Sequence, residues 1–529
     1  MNGCKLDLTD LVGQTLCYDI YDKDDPQEVE KVISKIRPGG IFVTDMTKEK
    51  IRFYEEMANR YCKVPVLVSS DVENGPFTPI KGAGMLPHPM AWGACGDETL
   101  IERAGELTGK ICRAAGIRFA FAPCVDILYN FQCPSINIRA VSDSPEAVIK
   151  IAGAYMRGMQ KGGLVSACKH FPGDGVDDRN PHFLTTVNSF SKDKWSATFG
   201  KVYLEMFRMG CEAVMPGHIA LPCAENGVPA DECLPACLSY NVMTKLLREE
   251  LGFDGCVVSD AMSMLGACTA CDLNELAVSF LRAGGDFVLF PEPDDFENIL
   301  SAVQNGILSE NRLQNAVDHI LRIKEKAGLF GAAESGICES ELNEGFEKVS
   351  NEIAEKSITL VRDRDKLLPI SPEKGGKLLV VNILEPFFKK DPSGSEMKAF
   401  EDELKKEGYR VTSLYNPKHK YVDKIINEFD FVLVNIKISS QDYHGGTMRM
   451  GWNTVMPLWR GYIFKNHNTI VTSFGDPFKL YDMPYARCYL NAYSFAPVSQ
   501  RAAAKAITGK IGICGKNPVS FRDYFQREI

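Results

Sequence analysis

From about residue 10 to residue 330 the chain alternates short, β-branched apolar runs with longer stretches whose apolar positions recur at helical spacing. Such alternation predicts repeated strand–helix units built around a parallel sheet. The predicted strands are TLCYDI (15–20), GIFVTD (40–45), VPVLVSSD (64–71), IRFAFAP (117–123), VSACKHF (165–171), AVMPGHI (213–219), CVVSDA (256–261) and DFVLFPE (286–292). PEAVIKIAGAYMRGMQKGG and NVMTKLLREELGFDG read as helices between them, and 309–330 reads as a closing helix capped by Ser309 and stopped at Gly328. Roughly eight such units in roughly 300 residues suit a closed (β/α)8 barrel of TIM type. An open doubly wound sheet carries the same periodicity. The polar residues favour closure, because Asp71, Lys169 with His170, His218, Asp260 and Glu292 all stand at C-terminal strand ends, which a barrel gathers onto one face.

Beyond the closing helix, GAAESGICESELNEG has the small, polar composition of a connection. The pattern predicts a barrel domain over 1–335, a linker over 336–355 and a second domain over 356–529. NEIAEKSITLVRD passes from helical to extended spacing, and strands follow at KLLVVNIL (377–384), DFVLVNI (430–436), NTIVTSFG (468–475) and CYLNAY (488–493). This predicts a smaller α/β sandwich domain, three layers deep.

The full length of 529 residues supports several domains, and 45% hydrophobic with 24% charged residues is the mixture of a globular chain. A net charge of -9 with no basic block argues against nucleic acid as a partner. The N-terminal MNGCKLDLTDLVGQ lacks the apolar core of a signal peptide, and no apolar run is long enough to span a membrane, so a cytoplasmic location is expected. The 18 cysteines lack the spacing of a disulfide framework. The one Cys-x-x-Cys, Cys268 to Cys271, has no second pair and no nearby histidine, so no metal site is read from it.

Chemistry concentrates in Lys169-His170-Phe171-Pro172-Gly173-Asp174-Gly175-Val176-Asp177-Asp178-Arg179-Asn180-Pro181-His182, a strand end running into a loop too rich in breakers to be helical. KHFPGDG followed by His182 resembles the KHFPGxG segment of glycoside hydrolase family 3, in its β-N-acetylglucosaminidase branch. CVVSDAMSMLGA, VLVSSDVENG, IRFAFAPCVDI, AVMPGHIALP and LRAGGDFVLF resemble further motifs of that family in the same order. The likeness spans most of residues 10–330 and continues more weakly from about 350.

Cleaving a glycosidic bond takes a group to protonate the departing oxygen and a carboxylate to meet the positive charge at the anomeric carbon. Asp260, at a strand end, is the candidate nucleophile, and the resemblance implies the same role. His182 is the candidate acid and base, since imidazole gives and takes protons near neutrality. Asp71, Arg139, Lys169 and His170 match the family's hydroxyl-binding positions, and His218 is a further candidate for the pocket. No metal or organic cofactor is expected, and the expected partner is a small glycan or glycoconjugate.

Two departures stand out. The family pattern has an aspartate two residues before the histidine, where this chain has Asn180, whose amide orients the ring but brings no negative charge. Either Asn180 holds the ring, or Asp177 or Asp178 takes over, or the proton transfer is impaired. In DVENGPFTP, Pro76 and Pro79 stand where similar chains have arginines. The leading expectation is a retaining, exo-acting β-N-acetylglucosaminidase. The alternatives are a β-N-acetylglucosaminide phosphorylase, a β-glucosidase or β-xylosidase, and a non-catalytic sugar-binding protein.

Overall fold

The computed structural model describes residues 6–331, 338–373, 376–384, 397–438, 450 and 468–521. The chain forms two compact units, each assembled from separated segments. The first takes the chain through Gly84, then Ile101–Ile127 and Val148–Phe346; the second takes Met85–Leu100, Leu128–Ala147 and the chain from Glu347 onward.

The first unit is built on eight parallel strands, β1 (Leu16–Ile20), β2 (Gly40–Val43), β3 (Leu67–Ser70), β4 (Phe119–Ala120), β5 (Val165–Phe171), β6 (Ala213–Pro216), β7 (Cys256–Val257) and β8 (Val288–Leu289). Neighbours in the sheet follow chain order, with β8 beside β1. A single bridge, Val258 to Phe287, joins β7 to β8 and closes the ring, as expected for a barrel. All eight predicted strands are present, several of them shorter than their apolar runs.

Inward positions follow the period of two along each strand. Cys17, Phe42, Leu67, Phe119, Phe121, Val165, Ala167, Ala213, Met215, Cys256, Val258, Phe287 and Leu289 form one buried cluster. Phe119 meets Phe121 edge to face at 5.1 Å between ring centroids. The same alternation, carried one step past the apolar plug, assigns Lys169 and Asp260 to the next inward positions on two strands, and on β3 it reaches Asp71 after Ser69. The barrel's core and its polar end are thus one pattern read to its limit.

Closure is reinforced at the opposite end of the strands. Asp286 is fully buried, and its carboxylate accepts from Arg248 at 2.7 Å, Arg312 at 2.7 Å, the His319 ring at 2.9 Å and the Val257 amide at 2.8 Å. Its own N–H donates to the Val257 carbonyl at 2.8 Å. The predicted closing helix is Glu310–Lys326, with the Ser309 hydroxyl accepting from the Arg312 amide.

In the second unit six strands form a mixed sheet: β9 (Thr359–Asp363), β10 (Lys377–Leu384), β11 (Arg410–Tyr415), β12 (Phe431–Lys437), β13 (Thr469–Ser473) and β14 (Cys488–Asn491). Their order is β9-β14-β13-β12-β10-β11, and only β9 runs antiparallel to its neighbour. Two stretches from the first 150 residues belong here. In one, the His88 ring meets the Ser494 hydroxyl at 2.9 Å and the Ala94 carbonyl accepts from the Lys516 amide at 3.0 Å. In the other, Ser142 donates to the Pro518 carbonyl at 2.5 Å. The division therefore differs from a simple break after residue 335, and the stretch expected as a linker carries the helix Glu339–Ser357. Among the described residues no helix is long and apolar enough to cross a membrane, and the described cysteines are free thiols.

Burial alone would raise the Asp286 carboxyl, but Arg248, the His319 hydrogen bond and Arg312 outweigh it and hold it at about 2. Its contribution to stability is present above the ordinary aspartate range near about 4 and is lost as the pH falls toward 2. Asp286→Ala leaves two half-buried guanidinium groups without their carboxylate and should cost about 1–3 kcal/mol, read as a lower unfolding midpoint in denaturant at neutral pH, with the difference from the parent shrinking under acid.

Candidate functional site

The polar end of the barrel is an alternation of charges. Lys169, only 4% exposed, sits between Asp71 at 2.7 Å and Glu73 at 2.6 Å. His170 follows it on β5, where the pairing with β6 shifts register between Lys169 and Phe171. Such an irregularity re-aims side chains that a regular strand would send to opposite faces. The His170 ring bonds through Nδ1 to the fully buried carboxylate of Asp126 at 2.7 Å, and its Nε2 stands 3.9 Å from Asp260 Oδ2.

Asp260 follows β7, with its side chain 19% exposed and Oδ1 accepting from the Ala261 amide at 2.8 Å. Burial works to raise its carboxyl, but the nearby His170, then His218, Lys169 and the Ala261 amide hold it below the usual carboxylate range. It is an ionised carboxylate in a largely enclosed place. Asp126 is likewise held low against burial, chiefly by His170 and by hydrogen bonds from His170, Asp174 and Cys124.

By sequence His218 is only a candidate for the pocket. It is fully buried, with Nε2 on the Ala261 carbonyl at 3.0 Å and Nδ1 on Cys237 Sγ at 3.3 Å. Both ring nitrogens are occupied, so His218 braces the Asp260 turn, and burial lowers its pKa. Arg139 lies in the turn Asn137–Arg139 within the second unit, where it donates to the Ser135 carbonyl at 2.9 Å.

The loop bearing His182 leaves β5 and returns as Thr186–Val187, which pairs in parallel with Ile219–Ala220 just beyond His218. Asn180 Oδ1 accepts from the His182 amide at 3.0 Å and meets His182 Nδ1 at 2.7 Å. Because a backbone N–H already points at this oxygen, it can only accept, and Nδ1 carries the hydrogen. Asn180 is buried, and its Nδ2 has no partner among the described residues. Asp177 does not take over: its carboxylate is spent on Arg179 and on the amides of Arg179 and Val187. Asn180 thus holds the ring through Nδ1.

This loop is stitched to the segment after Asp260. Leu265 donates its amide to the His182 carbonyl at 3.2 Å, and Gly266 donates to the Pro181 carbonyl at 3.2 Å. A Cβ on Gly266 would stand 2.5 Å from the Pro181 carbonyl oxygen and 2.9 Å from His218 Cβ, so the two loops meet there only around a glycine.

Cys124, Asp126 and His170 bring donor atoms within 4.8 Å of one another, compact enough to suggest a metal. The 2.7 Å between His170 Nδ1 and Asp126 Oδ2 is a direct hydrogen bond, shorter than the roughly 3.3 Å that separates two ligands of a tetrahedral zinc ion. Asp126 and Glu73 were not foreseen as site residues. Both lie inside quoted motifs, IRFAFAPCVDI and VLVSSDVENG, but nothing in their spacing tells which basic side chain each will meet.

The family model described as glycosyl hydrolase family 3 N terminal domain matches residues 8–323. The chain belongs to glycosyl hydrolase family 3. A curated relative, the beta-N-acetylglucosaminidase/beta-glucosidase of Cellulomonas fimi, is 29% identical over 96% of this chain and 93% of its own length. A solved beta-glucoside phosphorylase, BglX bound to 2FGlc, superposes with a TM-score of 0.86 at 29% identity, covering 97% of this chain and 94% of its own. A family 3 beta-N-acetylglucosaminidase from Paenibacillus sp. str. FPU-7 superposes with a TM-score of 0.85 at 25% identity over 98% and 99%.

Gly266→Ala should displace the His182 loop at a cost of about 1–3 kcal/mol. Limited proteolysis is expected to cut within residues 172–188 sooner than in the parent, and an unchanged digestion rate would show that the contact with the Asp260 segment does not hold the loop.

Proposed function

We propose that this protein is a retaining, exo-acting β-N-acetylglucosaminidase working in the cytosol on a small glycan or glycoconjugate. Asp260 attacks C1 of the terminal sugar while His182 protonates the departing oxygen. A glycosyl-aspartate results, and His182 then takes a proton from the water that releases it. Lys169, His170 and Asp71 bind sugar hydroxyls. The observation that carries this reading is the backbone tie between the His182 loop and the segment following Asp260, which keeps an imidazole and an ionised carboxylate at one end of the barrel. The thiol-rich chain suits a reducing compartment.

Asn180 bears on the acceptor. An Asn–His pair brings no negative charge toward the incoming group, so phosphate is tolerated where a carboxylate base would repel it. Together with the likeness to a beta-glucoside phosphorylase, this favours phosphorolysis as the second reading. The name of the Cellulomonas fimi relative also keeps a glucoside among the substrates to be tried.

Asp260→Asn should lower kcat on an aryl N-acetylglucosaminide by at least about 10³-fold. Wild-type rates in that variant would contradict the nucleophile assignment. A preference for the aryl glucoside would change the sugar, and a sugar 1-phosphate formed in phosphate buffer would replace hydrolysis by phosphorolysis.

A further inference from the structure

Asp126 gathers more donors than any role in sugar binding requires. It is fully buried, six residues past the end of β4. Its Oδ1 accepts from the Asp174 amide at 2.7 Å and from the His170 amide at 3.2 Å. Its Oδ2 accepts from His170 Nδ1 at 2.7 Å and from Cys124 Sγ at 3.2 Å. Asp174 stands three residues past β5, at the start of the loop that carries Asn180 and His182. The base of that loop has two further ties, Gly173 N–H to the His170 carbonyl at 2.7 Å and Asn188 Nδ2 to the Gly173 carbonyl at 2.9 Å. One carboxylate therefore touches both the histidine beside Asp260 and the root of the loop bearing the proton donor.

We infer that Asp126 is a positioning residue for the reaction, a buried anchor that fixes the His170 ring toward Asp260 and, through the Asp174 amide, sets where the His182 loop begins. The inference rests on the glycosidase reading above and deepens it. The Nδ1–H of His170 is committed to Asp126, so Nε2 is the atom presented beside Asp260 and to a sugar hydroxyl. An uncharged replacement at 126 weakens every one of these bonds at once, because bonds to an ionised acceptor are the stronger kind. Both the hold on the sugar and the timing of proton donation should suffer together.

The decisive variant is Asp126→Asn in the full chain, assayed on a series of aryl N-acetylglucosaminides whose leaving groups differ in basicity. With its circular dichroism unchanged, the variant should lose about 10²-fold in kcat on the poorest leaving group and markedly less on the best, so that the dependence on leaving-group pKa steepens. A role confined to stability would lower all substrates alike or only the melting temperature, and either result overturns the inference. Asp126→Ser, smaller and still able to accept one bond, should show the same steepening and serves if the asparagine variant does not fold; an unchanged slope in it is equally contrary. Asp260→Asn run in parallel separates the two levels. If it keeps wild-type rates, the glycosidase reading falls and this inference with it, whereas an inactive Asp260→Asn beside an unaffected Asp126→Asn overturns the anchor alone.

Discussion

A carboxylate enclosed by protein tends to take up a proton, because burial disfavours its charged form. At Asp260 this pressure is opposed by basic side chains set beside the carboxylate, two of which are themselves held by a further acid. Lys169 is held by Asp71 and Glu73, and His170 by Asp126. An unpaired charge in such surroundings would be neutralised or expelled. Ordering the charges in alternation lets each stabilise its neighbours.

The barrel makes this arrangement from very little. Period-two alternation fills the interior with Val165, Ala167, Cys256 and Val258, and the next inward residues on the same strands are Lys169 and Asp260. Chemistry thus begins where the apolar plug stops. The His182 loop is positioned from two sides, by Asp126 at its root and by backbone bonds to Leu265 and Gly266 near its tip. His218 occupies the space between, bonding the Ala261 carbonyl and crowding Gly266.

Much of this was legible in the chain. Strands written as apolar runs ending in Asp71, Lys169 and Asp260 name both the fold and the face that carries chemistry, because burial and alternation are local properties. Asn180 was legible too, though whether it or Asp177 would hold His182 depended on loop geometry. What could not be read was partnership at long range: Asp126 meeting a histidine 44 residues later, or Glu73 meeting Lys169. His218 read as a pocket residue because it ends a strand, but its neighbours Cys237 and Ala261 come from other segments and enclose it. The second unit was harder still. β11 has only partly buried alternation, and the inserted stretches 85–100 and 128–147 are recognised only by what they pack against.

The most direct measurement is chemical. A fluorinated N-acetylglucosaminyl donor with a good leaving group slows release of the glycosyl-enzyme, and peptide mass mapping of the trapped protein locates the sugar. One glycosyl group on the peptide containing Asp260, absent in Asp260→Asn, is the expected result. Attachment to any other residue, or turnover of the donor through inversion with no covalent adduct, would contradict the account.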